Sequence, residues 1–132
     1  MTRETAQETA QIMTQEKGPG QWAVIFTSRR AAGDNGYAEA AEKLARLAEG
    51  MPGYLGAQSV RNADGEGMTV SYWESLEAIA AWRAHPAHVA ARARADEWYE
   101  SWSLSVCRVE HTRVHPFPSA SIRFNPQRAE GL

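Results

Sequence analysis

The residues best suited to chemistry lie between Ser71 and Trp102, in the run SYWESLEAIAAWRAHPAHVAARARADEWYESW. It holds Trp73, Trp82, Trp98 and Trp102, places His85 and His88 on either side of Pro86, and adds Arg92 and Arg94 further on. An imidazole titrates near neutral pH, so His88 is a candidate general base towards an acidic C–H or O–H group. A guanidinium keeps its charge, so Arg92, facing inward, would stabilise a phenolate or enolate formed by that deprotonation. Trp82, Trp98 and Tyr72 are candidate walls for a flat substrate, and the Tyr72 phenol could orient a substrate hydroxyl. A base, an anion holder and a dry aromatic slot are what a cofactor-free reaction of an electron-rich carbanion with O₂ requires.

Each of these residues also has a plainer reading. Trp82 falls on the apolar side of a helix, where a core aromatic is expected. Arg92 and Arg94 sit beside Asp96 and Glu97 and suit a solvated helix face, and His88 suits a cap or a surface position. His85 and His88 lack Cys, Asp or Glu at ligand spacing, so no metal is expected. No glycine-rich phosphate loop or nucleophile elbow is present, so no nucleotide cofactor is expected either. Cys107, the single cysteine, reads as a small buried strand residue.

The elements that must position these groups follow from periodicity and turn chemistry. QWAVIFTSRR alternates Trp22, Val24, Phe26 and Ser28 against Ala23, Ile25, Thr27 and Arg29, a strand apolar on both faces. Asp34 or Asn35 caps a helix with Tyr37, Ala41, Leu44, Ala48 and Met51 on one side, stopped by Gly50, Pro52 and Gly53. YLGAQSVRN and GMTVSYWES form a hairpin across Asp64-Gly65. Ser75 caps a second helix that breaks at Pro86 and restarts there, and WSLSVCRVEHTRV supplies a fourth strand. The order is that of a ferredoxin-like βαββαβ sandwich, an α+β fold with a four-stranded antiparallel sheet. Two helices cover only one face of such a sheet, so a homodimer with the sheets face to face is expected.

The bulk numbers fit one domain: 132 residues, 43% hydrophobic, net charge −2. Charge of either sign forms no long run, which argues against a nucleic-acid partner and an anionic membrane surface. No targeting or spanning segment is evident, and a cytoplasmic location is expected. Residues 1–20 read as an N-terminal arm, 21–113 as the domain and 114–132 as a proline-rich tail whose Phe117, Ile122 and Phe124 should find cover.

PGYLGAQSV, GMTVSYWESLEAIAAWRAHPAH and ARADEWYESWSLSVCRVEHT resemble the antibiotic biosynthesis monooxygenase (ABM) superfamily over Gln21 to Arg113. The resemblance implies a dimeric α/β barrel with a cavity between sheet and helices in each subunit. It also implies either a cofactor-independent oxygenase of polycyclic phenolic or polyketide-like substrates, or an enzyme that degrades haem. The haem-degrading branch uses an Asn on the first strand, a Trp on the second helix and a His about ten residues later. Trp82 matches the Trp, whereas the Asn position falls near Ser28 and the His position near Arg92. Ser28 therefore joins the candidate substrate-binding residues, and the haem reading is the weaker one. The alternative to an oxygenase is a non-catalytic module holding a small apolar ligand in the same cavity.

Overall fold

The computed structural model describes residues 20–115. The arm and nearly all of the tail, with Phe117, Ile122 and Phe124, lie outside the described residues. Within them the chain runs β1 (Gln21–Arg30), α1 (Tyr37–Glu49), β2 (Tyr54–Arg61), β3 (Glu66–Trp73), α2 (Leu76–Arg83), α3 (Pro86–Ala93), α4 (Ala95–Trp98) and β4 (Tyr99–Val109). All strand pairs are antiparallel in the order β2-β3-β1-β4, the ferredoxin-like arrangement. No described helix is long and apolar enough to cross a membrane.

Local chemistry accounts for the boundaries. Ser75 caps α2 by accepting a hydrogen bond from the Ala78 backbone N–H. Pro86 occupies the first position of α3, and His85 caps it through Nδ1, which accepts from the Ala87 N–H at 3.0 Å. The helix thus breaks at Pro86, as the missing donor and ring clash require. The start of α1 differs from the sequence reading: the cap residue is Gly36, at φ 84°, and Asn35 is also left-handed. Asp34 still contributes, its carboxylate accepting from the Gly36 and Ala38 N–H groups at 3.0 and 3.2 Å. The left-handed turn, which Gly adopts at little cost, displaces the cap by one or two residues.

Register decides which side chains meet the helices. Val24 lies opposite Ser71 and Val106, Phe26 opposite Thr69 and Leu104, and Ser28 opposite Gly67 and Trp102, all on the helix-facing side. There Val24, Leu44, Ala48, Trp73 and Trp82 form one buried cluster, and Phe26, Tyr37, Ala41, Trp98 and Tyr99 a second. The other face carries Ala23, Ile25 and Thr27 beside Tyr72, Val70 and Met68. Tyr72, favoured as a cavity wall from the sequence, belongs to that opposite face, because strand alternation gives the helix side to Trp73. Cys107 is exposed rather than buried, since β4 is an edge strand paired only with β1.

Gly53 ties the two layers together. It has φ +85°, and a Cβ there would stand 2.6 Å from the Ala78 Cβ of α2. Gly53→Ala is expected to lose about 1–3 kcal/mol, because it combines left-handed strain with a backbone-proximal clash. An unchanged urea midpoint would contradict this packing of α2 on the β2 entry.

Candidate active site

Small side chains on the helices leave a gap above the sheet. Ala41 on α1, Ala91 on α3 and Ala95 on α4 stand where longer residues would reach the strands, and a cavity of about 470 Å³ opens between them and β1 and β4. That volume lies within the range of about 300–1,000 Å³ typical of small-molecule sites. Phe26, Trp102 and Leu104 line its sheet side, Tyr37 and Leu44 its α1 side, and Trp98 and Tyr99 its end. His88 and Arg92 from α3 and Arg83 from the end of α2 complete it.

A bulge in β4 aims one of these walls. Strict alternation from Trp102 would send Tyr99 to the other face, but the register with β1 shifts between Arg29 and Arg30 and pairs Arg30 with Tyr99. The extra residue turns Tyr99 inward. Its ring then meets Phe26 edge-on at 5.4 Å and Tyr37 at 5.7 Å, while Phe26 and Trp102 lie 6.0 Å apart at a shallow angle. Trp102 is 53% exposed, so the aromatic wall continues from the buried core to the open edge of the sheet.

Trp98 is held from the outside. Its Nε1–H and the Arg94 Nη2–H both donate to the Asn35 carbonyl at 3.0 Å. Arg94 also pairs with Glu97 at 2.9 Å, and Asn35 Nδ2 donates to the same carboxylate oxygen at 2.9 Å. The hydrogen bond from Arg94 holds the Glu97 carboxyl below the usual carboxylate range. Arg94 thus works as a strut outside the cavity, with its guanidinium over the Trp98 ring.

Arg92 is fixed at the rim by two hydrogen bonds. Its Nε–H donates to His88 Nδ1 at 3.2 Å, and its Nη2–H donates to the Arg83 carbonyl at 3.0 Å. The second bond satisfies one of the carbonyls left without a helical partner where α2 stops. The first occupies the Nδ1 lone pair of His88, so the neutral ring carries its proton on Nε2. His88 is only 5% exposed and packs edge-on against Trp82 at 5.1 Å.

Of the residues singled out in the sequence, His88, Arg92 and Trp98 therefore meet in one cavity. Trp82 and Ser28 do not line it. Trp82 is packed in the core behind His88, with its Nε1 buried and without a partner among the described residues. Ser28 is buried under Arg61, whose Nη2 donates to its hydroxyl at 2.7 Å. Tyr72 is on the far face, where burial pushes its phenol pKa up. Sequence reasoning missed Arg83, Tyr99 and Trp102 as site residues. Simple alternation along β4 puts Trp102, Leu104 and Val106 on one face, but nothing in the sequence marked the bulge that brings Tyr99 round.

A ferredoxin-like sandwich with an aromatic, cation-rimmed cavity between helices and sheet defines the class. The model of the antibiotic biosynthesis monooxygenase family matches residues 23–94. The chain is also 47% identical over 97 residues to the protein YqjZ of Bacillus subtilis (strain 168), spanning 73% of this chain and 85% of that one. The chain belongs to the antibiotic biosynthesis monooxygenase family. Among solved structures, SnoaB, a cofactor-independent oxygenase from Streptomyces nogalater, is similar at TM-score 0.62 and 10% identity, covering 70% of this chain and 96% of SnoaB. Rv0793 from Mycobacterium tuberculosis is similar at TM-score 0.57 and 18% identity, covering 76% of this chain and 99% of Rv0793. At those identities the likeness shows the fold.

If the cavity holds flat ligands, removing its outer wall should weaken them without unfolding the protein. Trp102→Ala is expected to raise the Kd of a planar aromatic probe about tenfold, in line with roughly 1–3 kcal/mol for stacking on an aromatic side chain. The urea midpoint should stay unchanged, because the indole is half exposed. Equal affinity of the variant and the parent protein in a fluorescence titration would show that ligands do not lie against this wall.

Proposed function

We propose that the protein is a cofactor-independent monooxygenase acting on a flat aromatic, polyketide-like substrate. The observation that carries this reading is a guanidinium fixed at the rim of an aromatic cavity, beside an imidazole whose Nδ1 it occupies. A substrate of the anthrone type presents a CH₂ group next to an oxygen that becomes an enolate when a proton leaves. As negative charge grows on that oxygen, Arg92 turns from His88 to the oxyanion, and the vacated Nδ1 takes the proton. The carbanion passes one electron to O₂, and the substrate radical and superoxide combine to form a C–O bond. The resulting hydroperoxide breaks its O–O bond, and the second C–H proton leaves. One oxygen stays as a carbonyl and the other departs as water, which takes up the proton held by His88. The net change is CH₂ plus O₂ to C=O plus H₂O, which balances without another reductant. The fold-level likeness to SnoaB, whose name records such an activity, supports this reading.

The working unit in this reading is a homodimer. Only one sheet face is covered by helices, and on the other Val60 and Met68 are 56% and 42% exposed. A second copy packed on that face would remove this apolar surface from water. Sedimentation should give twice the chain mass, and a monomer at micromolar concentration would refute the dimer. A non-catalytic ligand carrier is the competing reading, favoured if planar aromatics bind and no oxygen is consumed.

Oxygen uptake with dithranol separates the two. Turnover is expected from protein stripped of metal, with haem as a parallel trial substrate. Arg92→Ala should lower kcat about a hundred- to a thousandfold while changing Kd little, as for loss of an oxyanion donor. His88→Ala should lower kcat about a hundredfold or more. Turnover that appears only after a metal or haem is added would reject the mechanism.

A further inference from the structure

The rim of the cavity carries Arg83 and Arg92, and no Asp or Glu lines it. Apart from Arg113, which lies beyond β4, the other described arginines are engaged. Arg29 pairs with Glu66, Arg46 with Glu42, Arg94 with Glu97 and Arg108 with Glu110. Arg30 donates to the carbonyls of Trp98 and Gly33, and Arg61 to the carbonyl and hydroxyl of Ser28. Arg92 is committed to His88 and to the Arg83 carbonyl. The Arg83 guanidinium has no hydrogen bond or ion pair among the described residues, although its side chain lines the cavity.

The Arg83 side chain is exposed at the rim, with its guanidinium uncommitted. The Arg92 Nη2 is bonded to the main chain of Arg83 itself, so the two residues stay together. A carboxylate meeting the Arg83 fork would gain a bidentate, charge-assisted contact. We infer that Arg83 recognises a permanently ionised carboxylate on the flat aromatic substrate, leaving Arg92 for the charge that develops at the reacting oxygen. The inference rests on the reading of the cavity as a flat-aromatic site, and it narrows the substrate to aromatic acids. A purely structural Arg83, offsetting the dipole in the last turn of α2, would affect stability and leave ligand choice untouched.

Binding of a matched pair of probes tests this independently of turnover. Anthracene-2-carboxylate and anthracene-2-methanol share ring size and differ in charge, and both can be titrated into the full chain by tryptophan quenching at low ionic strength. The parent protein should prefer the carboxylate by about five- to tenfold, the scale of a partly exposed ion pair. Arg83→Gln should bind both probes equally, and Arg83→Lys should keep part of the preference. Added salt should shrink the preference of the parent protein. If both probes bind the parent protein equally, or Arg83→Gln keeps the preference, recognition by Arg83 is wrong while the flat-aromatic site stands. If neither probe binds, the site reading itself fails and this inference falls with it.

Discussion

Pro86 has no backbone N–H, and the rim of the cavity follows from that single missing donor. In an unbroken helix Arg83 and Arg92 would stand about 13 Å apart along the axis, at 1.5 Å per residue. The break lets α3 turn, so that the Arg92 guanidinium reaches the Arg83 carbonyl at 3.0 Å. That carbonyl has lost its helical partner where α2 ends, and Arg92 supplies a replacement. The same side chain then lies against His88, one turn earlier on α3. A cation, an imidazole and the corner that holds them thus come from the consequences of one proline.

The cavity itself depends on what the helices lack. Trp82, Leu44 and Trp73 close the space on the β2 and β3 side of the sheet, with Val24 beneath them. Towards β4, alanines face Phe26 and Leu104, and the space stays open. β4 is also the exposed edge of the sheet, with Leu104 and Val106 at 41% and 43% exposure. Large aromatics from the bulged start of β4 wall the gap without filling it. The polar members of the helix-facing layer are sealed away from it: Ser71 accepts from the Trp73 indole at 2.9 Å, and Thr69 bonds Ser59.

Much of this architecture was legible in the sequence because it is local. The alternation of β1, the Asp64-Gly65 hairpin, the Ser75 cap and the break at Pro86 are each decided by neighbouring residues, and the family resemblance rested on the same segments. The choice of sheet face was not. Tyr72 and Trp73 are both aromatic, and only long-range packing assigns Trp73 to the helices and Tyr72 to the other side. The role of Arg83 was equally hidden, since it depends on the direction α3 takes after the break. The alanines in AARARA were visible, but only the packing of α3 and α4 over the sheet shows that the short side chains of Ala91 and Ala95 leave room for a ligand.

A crystal structure with anthraquinone-2-carboxylate, an unreactive relative of the product expected from an anthrone, would test this assignment of the cavity most directly. The ring system should lie between Trp102 and the alanines Ala91 and Ala95, with a quinone oxygen within hydrogen-bonding distance of Arg92 and the carboxylate towards Arg83. A ligand bound instead on the open sheet face beside Tyr72, or within the cavity but turned away from both arginines, would contradict it.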